Sequence, residues 1–232
     1  MVRIGLGLMF WGVLTLLITF LIYLGAAFVM MVGGVVSGFH VGGAGALLLV
    51  VLAVAFAASV IVIVVGQCFC VAAPPESDAK GLAIASMVCL LLSIALSLGL
   101  LALIWGMVFA GVHGAAFGLA QTEGGAFLLV AFLGDAGVAV IGHVLFVRFL
   151  RGVALHFRNQ SLAATAGSYI VIYLVVIAIY AVLSCIAGLG GPGILGCLGF
   201  LVLVVGIAIV FELLRLIHAT RATIAAPLTG RG

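Results

Sequence analysis

LAIASMVCLLLSIALSLGLLALIWGMVFA, residues 82–110, contains no charged side chain and no proline. Crossing a hydrocarbon core about 30 Å thick takes roughly 20 apolar residues in an α-helix, so this stretch is long enough to span. Its apolar residues show no period-two alternation. In lipid a backbone must satisfy its own polar groups, and without the alternation of a barrel strand that leaves an α-helix. Working outward, comparable stretches occur at 6–31, 44–66, 126–146, 169–187 and 194–217. The fourth carries one acid, Asp135, and the sixth carries Glu212 and Arg215 in its last turns. The expectation is an all-α, polytopic transmembrane helical bundle of six spans, with residues 1–232 forming a single integral membrane domain. The first stretch follows Arg3, but it is longer than a signal-peptide core and no small-x-small cleavage site follows a short apolar run. It is read as a retained helix.

Composition agrees. Of 232 residues, 68% are hydrophobic and 6% are charged, whereas a soluble domain spends about a quarter of its residues on charge. A water-soluble enzyme, a secreted disulfide scaffold and a disordered chain are thereby excluded. The net charge of +3 is too dilute for nucleic-acid binding, which needs a concentrated basic face.

The placement of the basic residues is more informative than their sum. Arg3 precedes the first span and Lys80 lies between the second and third. Arg148, Arg151 and Arg158 follow the fourth, and Arg215, Arg221 and Arg231 lie at or beyond the end of the sixth. The glycine-rich connections after the first, third and fifth spans hold none. The positive-inside rule then puts both termini on the cytoplasmic side of the cell inner membrane. Residues 1–116 and 117–232 share no motif, so an inverted repeat of the transporter kind has no support.

Asp135 is the acid in the middle of a span. A carboxyl there must be offset by a partner, by water or by protonation, which makes it a candidate site on a proton or ion pathway. A protonated carboxyl that hydrogen-bonds across a helix interface and aids assembly is the competing expectation. His143 lies about 12 Å further along the same helix and roughly 80° around it, a candidate second station. An aspartyl protease would need a second membrane-embedded Asp, and the spans contain none.

Other residues carry weaker signals. Cys68 and Cys70 are two apart, but a closed zinc site takes four ligands and no further His or Cys completes the set, so no metal is expected. Cys185 and Cys197 are equidistant from Gly191 and should stand at similar depth, which allows a disulfide. On a helical wheel Phe146, Phe149, Leu150, Val153 and Phe157 share one arc, and Arg148, Arg151 and Arg158 fall opposite. Residues 147–160 therefore read as an amphipathic cytoplasmic extension of the fourth span, lying against anionic headgroups. Glu212 and Arg215 are spaced to pair on a helix surface. His40, His113 and Glu123 fall in external connections, with no matched pair to ligate haem. No Walker loop, His-Glu-x-x-His or Gly-x-Ser-x-Gly occurs, so no enzyme and no cofactor are expected.

Two stretches, GQCFCVAAPPESDAKG at 66–81 and the segment at 146–163 beginning FVRFLRGVALHF, together resemble uncharacterised multi-pass membrane proteins of planctomycete-type bacteria. The resemblance implies a turn between the second and third spans on the cytoplasmic side, and it implies no activity and no catalytic residue. Pro74 and Pro75 would stop one helix and open the next, with Glu76 and Asp78 near its positive end. The functional expectation is a non-catalytic membrane component that assembles with itself or a membrane-protein partner in the lipid bilayer. A small transporter or channel with Asp135 on its pathway is the alternative.

Overall fold

The computed structural model describes the backbone of residues 1–37, 43–72, 79–109, 123–190 and 192–229, and the side chains of 1–26, 50–72, 79–103, 130–183 and 203–225. The described residues form six α-helices and no strand: α1 (Val2–Ser37), α2 (Gly43–Cys70), α3 (Ala79–Phe109), α4 (Glu123–His156), α5 (Gln160–Gly190) and α6 (Pro192–Thr229). All six are long and apolar enough to cross a membrane, and the chain is a multi-pass membrane protein. Each helix overruns its apolar stretch at one or both ends, because an α-helix keeps its internal hydrogen bonds on leaving the hydrocarbon and gains nothing by stopping at the boundary.

Each helix packs against the next, and α6 closes the ring on α1, while α4 also touches α6 and leaves α5 on the outside. Glycines set the closest approaches. A Cβ placed on Gly5 would lie 2.6 Å from the Gly66 carbonyl oxygen, and one on Gly12 would lie 2.7 Å from Ile63 Cγ1, so α1 and α2 meet backbone to backbone. Across α3 and α4, a Cβ on Gly142 would lie 2.9 Å from Cys89 Cβ, and one on Gly152 would lie 3.4 Å from Ala79 Cβ. Lipid tails are as apolar as leucine, so helices in a membrane associate through such close packing and through polar cross-links.

The core is concentrated at the end of the bundle that carries the arginines. It comprises Leu6 and Met9 of α1, Cys70 of α2, Ala79 and Ala83 of α3, Phe146, Val147, Phe149, Leu150, Val153 and Ala154 of α4, Ala163 and Ala166 of α5, and Leu213, Leu216 and Ile217 of α6. Val54, Phe132, Leu133 and Val171 are exposed, as outward side chains of a bundle bathed in lipid should be.

This arrangement corrects the reading of residues 147–160 as a helix lying along the membrane surface. The segment continues α4 as far as His156, and Phe149, Leu150 and Val153 are buried against the other helices. Arg148, Arg151 and Arg158 are exposed. The amphipathic arc, except for the exposed Phe157, is therefore taken up by protein core, because neighbouring helices are within reach. The chain then turns sharply. Arg158 N–H donates to the Leu155 carbonyl at 2.9 Å and Asn159 N–H to the Ala154 carbonyl at 2.9 Å, with Arg158 in the left-handed region at φ 58°. That pair of bonds is the Schellman closure of a helix end. Asn159 Oδ1 accepts from Leu162 N–H at 3.0 Å and caps α5. Its amide also donates to Thr223 Oγ1 of α6 at 3.1 Å.

Candidate functional site

Ser86, Ser93 and Ser97 recur along α3 at seven and then four residues, a spacing that puts them on one helix face. Antiparallel α4 brings Asp135 opposite the last two. Ser93 Oγ donates to Oδ1 at 2.7 Å and Ser97 Oγ donates to Oδ2 at 2.7 Å. Both carboxyl oxygens are thus acceptors of short hydrogen bonds from α3. Asp135 is half-buried, and the Cβ positions of Gly134 and Gly137 beside it face open space.

Ser93 also lines a partly open cavity of about 180 Å³ bounded by α1, α2, α3, α4 and α6, whose other polar members are Gln67, Ser86 and His143. Ser86 Oγ donates to the Gly142 carbonyl at 3.1 Å and accepts from Gln67 Nε2 at 3.3 Å. Gln67 is 7% exposed, and its Oε1 is buried without a hydrogen-bond partner among the described residues. A buried amide oxygen of this kind costs free energy unless water or an ion satisfies it, and the cavity has room for water.

His143 bonds to Tyr169 Oη at 2.9 Å, not to Asp135, and its ring packs on Tyr173 at a centroid distance of 4.3 Å. Tyr169 Oη donates in turn to the Ile209 carbonyl at 3.4 Å. The two polar residues singled out on the fourth span are therefore separate in their bonding. They are linked through the cavity, since Ser93 and His143 both form its wall.

Glu212 and Arg215 form an ion pair at 3.7 Å with side chains 58% and 81% exposed, a contact of little energetic weight. Cys68, Cys70 and Cys89 are free thiols, and Cys68 Sγ lies 3.6 Å from Met87 Sδ. Among the described residues no three His, Cys, Asp or Glu side chains converge to hold a metal. Pro74, Pro75, Glu76, Asp78, His40, His113 and Arg231, and the side chains of Glu123, Cys185 and Cys197, lie outside the described residues.

Sequence reasoning missed Gln67 and the three serines. The signal was present, because serine at three places on one face of an otherwise apolar helix is a polar stripe, and Gln67 is an amide at the end of an apolar run. No protein-family model, curated protein or solved structure matches the chain.

Proposed function

We propose that the protein is a small, non-enzymatic transporter or channel of the inner membrane, with both termini in the cytoplasm, which loads a proton or a small monovalent cation at Asp135. The observation that carries this reading is the bonding of the carboxyl. Both oxygens accept from serine hydroxyls, and the ion pair among the described residues is Glu212 with Arg215. The next basic residue along α4, Arg148, is about 20 Å further down the helix axis. A carboxylate so placed in hydrocarbon needs a neutralising charge, and a mobile proton or cation supplies it. Through Ser93 the carboxyl adjoins a cavity with an unsatisfied oxygen, which is the polar lining that a pathway needs.

A second reading, a membrane component that assembles with itself or a partner, is favoured by the open Cβ positions of Gly99, Gly134 and Gly137 on the same two helices. In that case the carboxyl only clips α3 to α4. The experiment is pH-difference infrared spectroscopy on wild type and Asp135→Asn in nanodiscs, with and without added sodium or potassium. A carboxyl band that titrates, responds to the cation or to proton load, and vanishes in the variant supports the pathway. A carboxyl that stays in one state throughout, with the variant folded normally, overturns it in favour of assembly.

A further inference from the structure

Arg3, Gly7 and Phe10 stand on one face of α1, four and then three residues apart, and His218, Arg221, Ala222 and Ala225 stand on one face of α6. The two faces meet at the arginine-bearing end of the bundle. Between them is an open pocket of about 290 Å³ lined by Arg3, His218, Arg221, Ala222 and Ala225. The Arg221 guanidinium lies over Gly7, where the three atoms nearest to an added Cβ would all belong to that side chain, Cζ at 3.4 Å and Nε and one terminal nitrogen at 3.6 Å. The His218 ring is braced by Phe10, at a centroid distance of 5.9 Å. Ala222 and Ala225 are small and leave the space open.

The polar side chains that line this pocket are two arginines and a histidine, and no carboxylate lies among the lining residues. Arg221 is half-buried, so its charge is less screened than that of a free surface arginine. Arg3, which is exposed, and Arg221 bring two positive charges to one pocket, and an anion between them offsets their repulsion. Guanidinium forks match phosphate oxygens in geometry, and basic pockets between transmembrane helices take anionic headgroups.

We infer that the α1–α6 pocket of Arg3, His218 and Arg221 is a binding site for a phosphate group, supplied by an anionic phospholipid or by a soluble phosphate. Gly7 is part of the site, because the absence of a side chain there lets Arg221 lie flat against α1 and face the pocket.

The test uses the full chain in nanodiscs. Phosphatidylglycerol retained through mild delipidation is measured by native mass spectrometry from mixed phosphatidylcholine and phosphatidylglycerol discs, and inorganic phosphate binding is measured in discs of phosphatidylcholine alone. Arg3→Gln and Arg221→Gln are each expected to weaken binding about tenfold, while Arg148→Gln, which removes the same charge from an exposed site elsewhere, stays within about twofold. Gly7→Leu should weaken it comparably to Arg221→Gln with the charge unchanged. Arg221→Lys, which keeps the charge and loses the fork, should fall between wild type and Arg221→Gln, and it decides the matter if Gly7→Leu does not fold. Dependence seen with phosphatidylglycerol alone assigns a lipid, and dependence seen with inorganic phosphate assigns a soluble anion. Equal losses in all three arginine-to-glutamine variants, or no binding of either probe, would overturn the site and leave a diffuse positive surface.

Discussion

Gly5 of α1 and Gly66 of α2 touch through their backbones, with the Gly66 carbonyl oxygen 2.6 Å from where a Gly5 Cβ would stand. Alanine at either position must push the two helices apart and should cost about 1–3 kcal/mol. Gly25 and Gly167 have open space around the same position, and alanine there should be neutral or stabilising by up to about 1 kcal/mol through helix propensity. Reversible unfolding in detergent, run on all four variants, checks the contrast. Equal effects at the two kinds of site would mean that the α1–α2 contact is not made as described.

Asp135 separates structure from transport. Asparagine keeps an acceptor for Ser93 and, by turning the Ser97 hydroxyl, a donor for the other bond, so Asp135→Asn should change stability by less than about 1 kcal/mol. Asp135→Leu leaves both hydroxyls to fall back on carbonyls of their own helix and should cost about 1–2 kcal/mol. Uptake of protons or cations into proteoliposomes should be lost in both. An Asn variant with wild-type uptake would show that the carboxyl carries no charge in the cycle.

Gln67 contributes one bond to Ser86 and holds one buried oxygen without a partner among the described residues. Replacing it with methionine removes the bond and the orphan together while keeping the volume, so Gln67→Met should leave stability unchanged or raise it by up to about 1 kcal/mol. A loss beyond about 2 kcal/mol in the same unfolding assay would mean that water in the cavity already satisfies that oxygen.

The turn between α4 and α5 invites a pair of substitutions. Arg158 occupies the left-handed region at φ 58°, where glycine meets no Cβ penalty, and Arg158→Gly should stabilise by about 0.5–1 kcal/mol. Asn159 caps α5 and reaches Thr223, so Asn159→Ala should cost about 1–2 kcal/mol. Thermal unfolding of the two variants should shift the midpoint in opposite directions, and a shared direction would contradict the turn geometry.

The helices themselves were legible in the sequence, because in lipid a long uncharged run has one way to satisfy its backbone, and that constraint acts on each segment separately. Residues 82–110 are enough to say so. Asp135 was legible as a candidate for the same reason, since an acid in the middle of such a run carries a cost that something must offset. Its partners were not. Ser93 and Ser97 lie on a different helix, and which helix faces α4 depends on how Gly142 meets Cys89 and Gly152 meets Ala79, contacts between segments far apart in the chain. Phe149 and Leu150 show the same limit from the other side. Their arc was plain in the sequence, yet whether it faced headgroups or protein was decided by the position of the neighbouring helices. Local sequence determined which segments span and which faces are apolar, through backbone satisfaction and periodicity. Only the tertiary packing decided what each polar side chain meets, because a hydrogen-bond partner across an interface is set by geometry that no single helix contains.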